Sequence, residues 1–239
     1  MDGEDVRIIV RTVGERTADE CIRRASLEGD VDVISGCTPF FRVLEETYKL
    51  GSTYDQEWVP VVDGDVLLTE GKITAAVKVL SEMNGVFCLD GKTDDKILNM
   101  KRRAGIHIYR RDLMEAALQY VTESIKPETR ARQAMELNHA ARTYVGDIVF
   151  GLHDYEQYYR DLYRKAYLQV KKLGGKIGRV KKKYPMWAQN DDDYKAILAG
   201  HIAGTERRYK HVFDAAQYYG ADDAIARLGL REKAPYETV

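Results

Sequence analysis

Short β-branched runs alternate along this chain with stretches of helical spacing. Val6 to Thr12 (VRIIVRT) reads as a strand closed by Gly14, and Thr17 is placed to cap a helix reaching about Leu27. Val31 to Ser35 (VDVIS) is a second strand. From Pro39 onward Phe40, Phe41, Leu44, Tyr48 and Leu50 recur mostly three and four residues apart, which predicts a helix. Glu57 to Val62 (EWVPVV) is a third strand that runs straight into Asp63-Gly64-Asp65. A helix over about Thr69 to Met83 and a strand at Gly85 to Leu89 follow.

The middle of the chain is less regular. Gly105 to Tyr109 (GIHIY) alternates like a strand, a helix is expected from about Asp112 to Val121, and a polar helix over Pro127 to Ala141. Gly146 to Gly151 is a last short strand ending at Leu152-His153-Asp154. Tyr155 to Lys172 reads as an aromatic and basic helix, and about Asp193 to Tyr219 as another. Strands separated by single helices predict an α/β fold with a mostly parallel sheet and helices on both faces. Residues 1–155 form the expected α/β domain and 156–239 a helical C-terminal extension.

Composition narrows the setting. With 37 basic and 38 acidic residues the net charge is -1, so nucleic acid is not an expected partner. No run of 18 apolar residues occurs, and the start MDGEDVRIIV lacks a signal's basic and apolar parts. Cys21, Cys37 and Cys88 are widely spaced and match neither a disulfide framework nor a zinc pattern. A cytoplasmic setting is expected.

The sharpest chemical signal is the acid pair. In open α/β sheets ligands bind beyond the carboxyl ends of strands, which is where Asp63 and Asp65 stand. Alternate positions of an extended chain share a face, and Gly64 leaves space for a ligand to approach. Their repulsion would be relieved by Mg²⁺ or Mn²⁺, and such an ion bridging a diphosphate stabilises it as it leaves. The plain alternative is an Asp-Gly turn on the surface.

These segments resemble a known family. VRIIVRTVGERT and EWVPVVDGDVLL, with RRAGIHIYRRDLM and VFGLHDYEQYYRDLYRK further on, resemble bacterial family 2-like GT-A glycosyltransferases, over about residues 6 to 165. The resemblance implies a GT-A-like fold and a UDP- or GDP-linked sugar donor. The acceptor would be a glycan, a lipid-linked molecule or a small molecule. It implies that Asp65 coordinates the metal and that Asp63 contacts the ribose, or the metal through water. Thr12, Val13, Gly14 and Glu15 would border the base and ribose, with Arg16 near the phosphates and Gly64 between the acids. His153 would be a further metal ligand, a position at which imidazole suits Mn²⁺ better than Mg²⁺.

An inverting transfer also needs a base for the acceptor hydroxyl. The candidates are Asp94 and Asp95 in the polar stretch GKTDDK, read as a loop, together with Asp154 and Glu156. His107 lies in a strand candidate, whereas His139, His201 and His211 are expected at the surface. Tyr155, Tyr158, Tyr159, Tyr163 and Tyr167 recur at helical spacing and read as a packing face. Lys171, Lys172, Lys176, Arg179 and Lys181 to Lys183 form a basic run beside Tyr184, Pro185 and Trp187. That run suits a solvated loop, a lid over a diphosphate or contact with an anionic membrane surface. Two alternatives accompany the transferase. One is a haloacid-dehalogenase-like phosphohydrolase with Asp63 as nucleophile and Asp65 as acid/base. The other is a nucleotide-sugar-binding protein without turnover.

Overall fold

The computed structural model describes residues 6–124, 126–173, 181–206 and 220–237. Of the features singled out above, Gly174, Gly175, Lys176, Arg179, His211 and the expected helix from 207 to Tyr219 lie outside the described residues, as do the side chains of Lys171 and Lys172. The chain divides into two compact units. One holds the described residues up to Asp95 with Met100–Tyr155, the other Lys96–Asn99 with Glu156–Glu237.

In the first unit β1 (Arg7–Thr12), α1 (Ala18–Ala25), β2 (Asp30–Ser35), α2 (Phe40–Gly51) and β3 (Trp58–Asp63) follow in turn. Then come β4 (Val66–Leu68), α3 (Lys72–Ser81), β5 (Val86–Asp95), β6 (Met100–Arg110), α4 (Met114–Leu118), α5 (Pro127–His139), β7 (Arg142–Tyr144) and β8 (Val149–His153). The strands form one sheet in the order β2-β1-β3-β6-β5-β8-β4, with β7 also on β5. Parallel pairing joins β1 to β2 and β3, and β5 to β7 and β8; antiparallel pairing joins β3 to β6, β6 to β5 and β4 to β8. Two βα units thus precede the strand that ends in acid-glycine-acid, the α/β arrangement expected from the sequence.

Alternation along β1 and β3 explains the layering. Ile8, Val10 and Val62 pack with α1 and α3 on one face, while Ile9, Val59 and Val61 pack with α2, α4 and α5 on the other. Strands covered on both sides read as unbroken apolar runs, as IIV and WVPVV do.

One local expectation is corrected. GKTDDK is not a loop: Asp94 and Asp95 close β5, opposite Lys101 and Met100 of β6 and beside Leu152 and His153 of β8. Three of its polar residues find partners there: Lys92 on Asp147, Thr93 on the Ala104 carbonyl and Asp95 on Arg102.

The second unit is helical: α6 (Tyr159–Leu173), α7 (Tyr184–Trp187), α8 (Asp192–Glu206) and α9 (Ala221–Arg227). Helices α6 and α8 approach closely at Gly200, where an added Cβ would stand 2.1 Å from the carbonyl oxygen of Tyr163. Tyr163 and Tyr167 of the tyrosine stripe are buried in this unit. His201 is buried too, not at the surface, its ring edge-on to Tyr184. Small residues around it turn that side of α8 inward. Lys181 to Lys183 are exposed, and no helix among the described residues is long and apolar enough to cross a membrane.

The β4–β8 pairing is sensitive to one atom. A Cβ on Gly151 would stand 2.1 Å from the carbonyl oxygen of Leu67. Gly151→Ala is expected to destabilise the protein by about 1–3 kcal/mol, measured by urea unfolding, because neither backbone can yield alone.

Candidate functional site

The acid motif is welded to the loop after β1. Gly64 donates its N–H to the Arg11 carbonyl at 2.8 Å, and its own carbonyl accepts from Thr17 Oγ1 at 3.0 Å. A Cβ on Gly64 would meet Thr12 Cβ, Thr12 Oγ1 and Glu15 Oε2, each at 3.0 Å. The space that the glycine leaves is therefore filled by the β1 loop and not by an approaching ligand, which corrects the sequence reading. Glu15 Oε2 also accepts from Thr12 Oγ1 and from the Val13 N–H, which closes the loop on itself. Arg11, Thr12, Val13, Glu15, Phe40, Val43, Asp63 and Asp65 line a cleft here.

Asp63 and Asp65 have different surroundings. Asp63 ends β3 with its side chain 30% exposed, and its Oδ1 accepts from Arg11 Nε at 2.9 Å and Nη2 at 2.7 Å. Asp65 is buried beside the end of β8. The register Val66↔His153 and a 3.2 Å bond from the Asp154 N–H to the Asp65 carbonyl bring the two chain segments together. Asp65, His153 and Asp154 are all buried, and they offer ligand atoms that lie within 4.8 Å of one another.

His153 is the centre of that group. Its Nδ1 stands 2.8 Å from Asp95 Oδ2 and 3.1 Å from Asp154 Oδ2, and its Nε2 3.5 Å from Asp65 Oδ1. Asp95 in turn accepts from Arg102 Nε at 2.6 Å. Burial alone would lower the basicity of the imidazole. The carboxylates of Asp154, Asp65 and Asp95 outweigh that and lift its pKa from 6.5 to about 9. Asp154 and Glu156 both hold left-handed backbone, with φ of 64° and 57°. Such strain in non-glycine residues collects at functional sites.

A second buried charge network lies on the α5 side of the sheet. Arg11 Nη1 donates to Glu128 Oε1 at 3.0 Å, and the Tyr109 hydroxyl donates to the same oxygen at 2.6 Å. His107 Nε2 is 3.0 Å from Glu128 Oε2, while its Nδ1 faces Asp90 at 3.2 Å and Arg132 at 2.8 Å. Burial opposes charge at His107, but Glu128 and the bond to Asp90 win and raise its pKa well above 6.5. Burial likewise opposes charge at Glu128, yet His107 and Arg11 hold it well below the usual carboxylate range.

The structure thus gathers Thr12, Val13, Glu15, Asp63 and Asp65 around one cleft, and Asp65, Asp95, His153 and Asp154 around one imidazole. Gly14 turns the β1 loop with φ of 89°, and Arg16 is half-buried just beyond it without lining the cleft. Asp94 is half-buried and, by strand alternation, faces away from Asp95. Glu156 is exposed and belongs to the second unit. Asp63 stands outside the ligand group of three. Spacing gave no sign of Arg11, Asp90, Glu128 or Arg132. The usable signal was a charge closing an apolar run, as in IIVR and VFCLD.

His153 makes stability pH-dependent when no metal is bound. Its folded pKa of about 9 exceeds the ordinary 6.5, so the proton favours the folded state. That contribution, on the order of a few kcal/mol, is complete below about pH 6.5 and lost as pH rises through 9. Unfolding in chelator across this range is expected to show the loss, and His153→Gln to flatten it.

Neither a protein-family model nor a curated protein matches the chain. Solved structures resemble it in part at low identity. A mannosyltransferase from Pyrobaculum calidifontis, in complex with GDP-Man and Mn²⁺, is 12% identical over 96% of this chain and 76% of its own, with a TM-score of 0.48. A glycosyltransferase involved in glycosylation of the major capsid of PBCV-1 is 11% identical over 64% of this chain and 93% of its own, with a TM-score of 0.41. A 4-diphosphocytidyl-2C-methyl-D-erythritol synthase from Anaerococcus prevotii is 15% identical over 64% and 91%, with a TM-score of 0.42.

Proposed function

We propose that this protein is a divalent-metal-dependent glycosyltransferase that takes a UDP- or GDP-linked sugar as donor. The observation that carries the reading is the double membership of Asp65. It lines the cleft beyond β1 and β3, and it stands in the buried group with His153 and Asp154. Two carboxylates and one imidazole fit Mn²⁺ better than Mg²⁺, which prefers an all-oxygen shell. A dication bound there would supply Lewis-acid stabilisation of the leaving diphosphate.

The chain's own residues divide the remaining work. Asp95, itself fixed by Arg102, orients the His153 ring through Nδ1, as carboxylates behind ligand histidines do. Asp63 offers its carboxylate to the ribose while Arg11 holds it. Thr12, Val13, Gly14 and Glu15 border the base and ribose, and Arg16 stands toward the phosphates. In this reading Asp154 belongs to the metal set and Asp95 to its support. Of the remaining candidate bases for the acceptor hydroxyl, Asp94 is the one that belongs to the first unit. The first unit is the catalytic domain, and residues 156–239 are its helical extension.

The phosphohydrolase alternative is disfavoured by Arg11, because two guanidinium bonds on Oδ1 stabilise the Asp63 carboxylate and blunt it as a nucleophile.

Calorimetric titration of UDP and GDP with and without Mn²⁺ tests the proposal. Wild-type protein is expected to bind either or both only with the metal, and Asp65→Asn or His153→Ala to abolish that dependence. Asp95→Asn is expected to weaken Mn²⁺ binding by roughly 10- to 100-fold. Nucleotide binding that is indifferent to Mn²⁺ and to Asp65→Asn would overturn the reading. Binding without sugar transfer or donor hydrolysis would leave a non-catalytic binding protein.

A further inference from the structure

We propose that Glu128 is a positioning residue for the donor cleft, acting through Arg11 on Asp63; this rests on the glycosyltransferase reading above. Glu128 lies in the first turn of α5, is absent from the cleft lining, and reaches the cleft only through the guanidinium.

The geometry of the Arg11–Asp63 pair motivates the assignment. A guanidinium edge facing a lone carboxylate favours the bidentate fork, with one nitrogen on each oxygen. Here Nε and Nη2 both converge on Oδ1, which leaves Oδ2 out of the ion pair. The third nitrogen explains the offset. Nη1 is drawn 3.0 Å from Glu128 Oε1, and Glu128 cannot follow Arg11 because the Tyr109 hydroxyl and His107 Nε2 also hold it. Arg11 is therefore clamped between two carboxylates and lies over the ring of Phe40, another lining residue. Its buried charge needs only one counter-ion for neutrality. The second one sets the direction in which Asp63 presents its remaining oxygen.

Removing the anchor frees the guanidinium to swing into the fork on Asp63, which draws both oxygens away from the cleft. Glu128→Gln is expected to weaken binding of Mn²⁺–UDP or Mn²⁺–GDP by roughly 10- to 100-fold, the scale of one charged hydrogen bond. Mn²⁺ binding alone, followed by electron paramagnetic resonance, should not move, because Asp65, His153 and Asp154 are outside this network. A role confined to folding would not separate the two ligands. Asp90→Asn supplies the control: it perturbs the same network at its far end, beyond His107, and should lower the melting temperature without weakening the nucleotide.

All measurements use the full chain. Wild-type nucleotide affinity in Glu128→Gln would overturn the inference, and so would an equal loss in Asp90→Asn. If the wild type itself binds neither nucleotide with Mn²⁺, the donor reading fails and this inference falls with it. Should Glu128→Gln not fold, Glu128→Asp keeps the buried charge among Tyr109 and His107 but is one methylene too short to hold Arg11 Nη1. It is expected to show the same nucleotide loss with Mn²⁺ binding intact, and wild-type nucleotide affinity in it would be equally fatal.

Discussion

Three carboxylates cannot share a buried space unless positive charge stands among them, and here it comes from the His153 imidazole, with Arg102 on Asp95. Asp65, Asp95 and Asp154 come from a turn, a central strand and a strand end, and His153 faces all three. Each acid would be costly to bury ionised by itself. Together they favour the protonated ring, so in the absence of a metal a proton on His153 offsets part of their charge, and Arg102 offsets more through Asp95. The pairing of β4 with β8 exists within this constraint, because it is the backbone ladder that keeps Asp65 and His153 adjacent.

The same logic operates on the α5 side of the sheet with different partners. Arg11, His107 and Arg132 alternate with Asp63, Glu128 and Asp90, and no member lacks an opposite charge within hydrogen-bond reach. The two networks differ in what they could exchange with solvent. One ends in a group of ligand-type side chains suited to a cation. The other ends in Asp63, which is partly exposed and lines the cleft. The acid-glycine-acid motif is thus the meeting point of two separate charge clusters and not one symmetric pair of ligands.

This difference explains what the sequence could and could not disclose. Strands β1 and β3 and helices α1 to α3 follow from apolar periodicity, since each is covered by the layer that its pattern implies. The strand character of Lys92 to Asp95 is hidden because its polar residues are matched by Arg102 on the neighbouring strand and by Asp147 and His153, more than fifty residues away. Glu128 looked like an ordinary acid in a polar helix; only the folded register sets it opposite Arg11, 117 residues away. His201 was misplaced for a related reason: its helix carries small residues whose burial depends on a partner helix. Asp63 and Asp65 are the focus of the sequence reading, but their spacing gives no hint that one is gripped by arginine.

Gly64 has a wider consequence. Because the β1 loop occupies the volume that a side chain would need there, the loop and the acids behave as a single cast piece. Swapping that loop for another would shift the carboxylate at position 65 as well. Altered preference in such a scaffold should therefore arise more readily from the Phe40 and Val43 wall, which lines the same cleft without being keyed into the glycine.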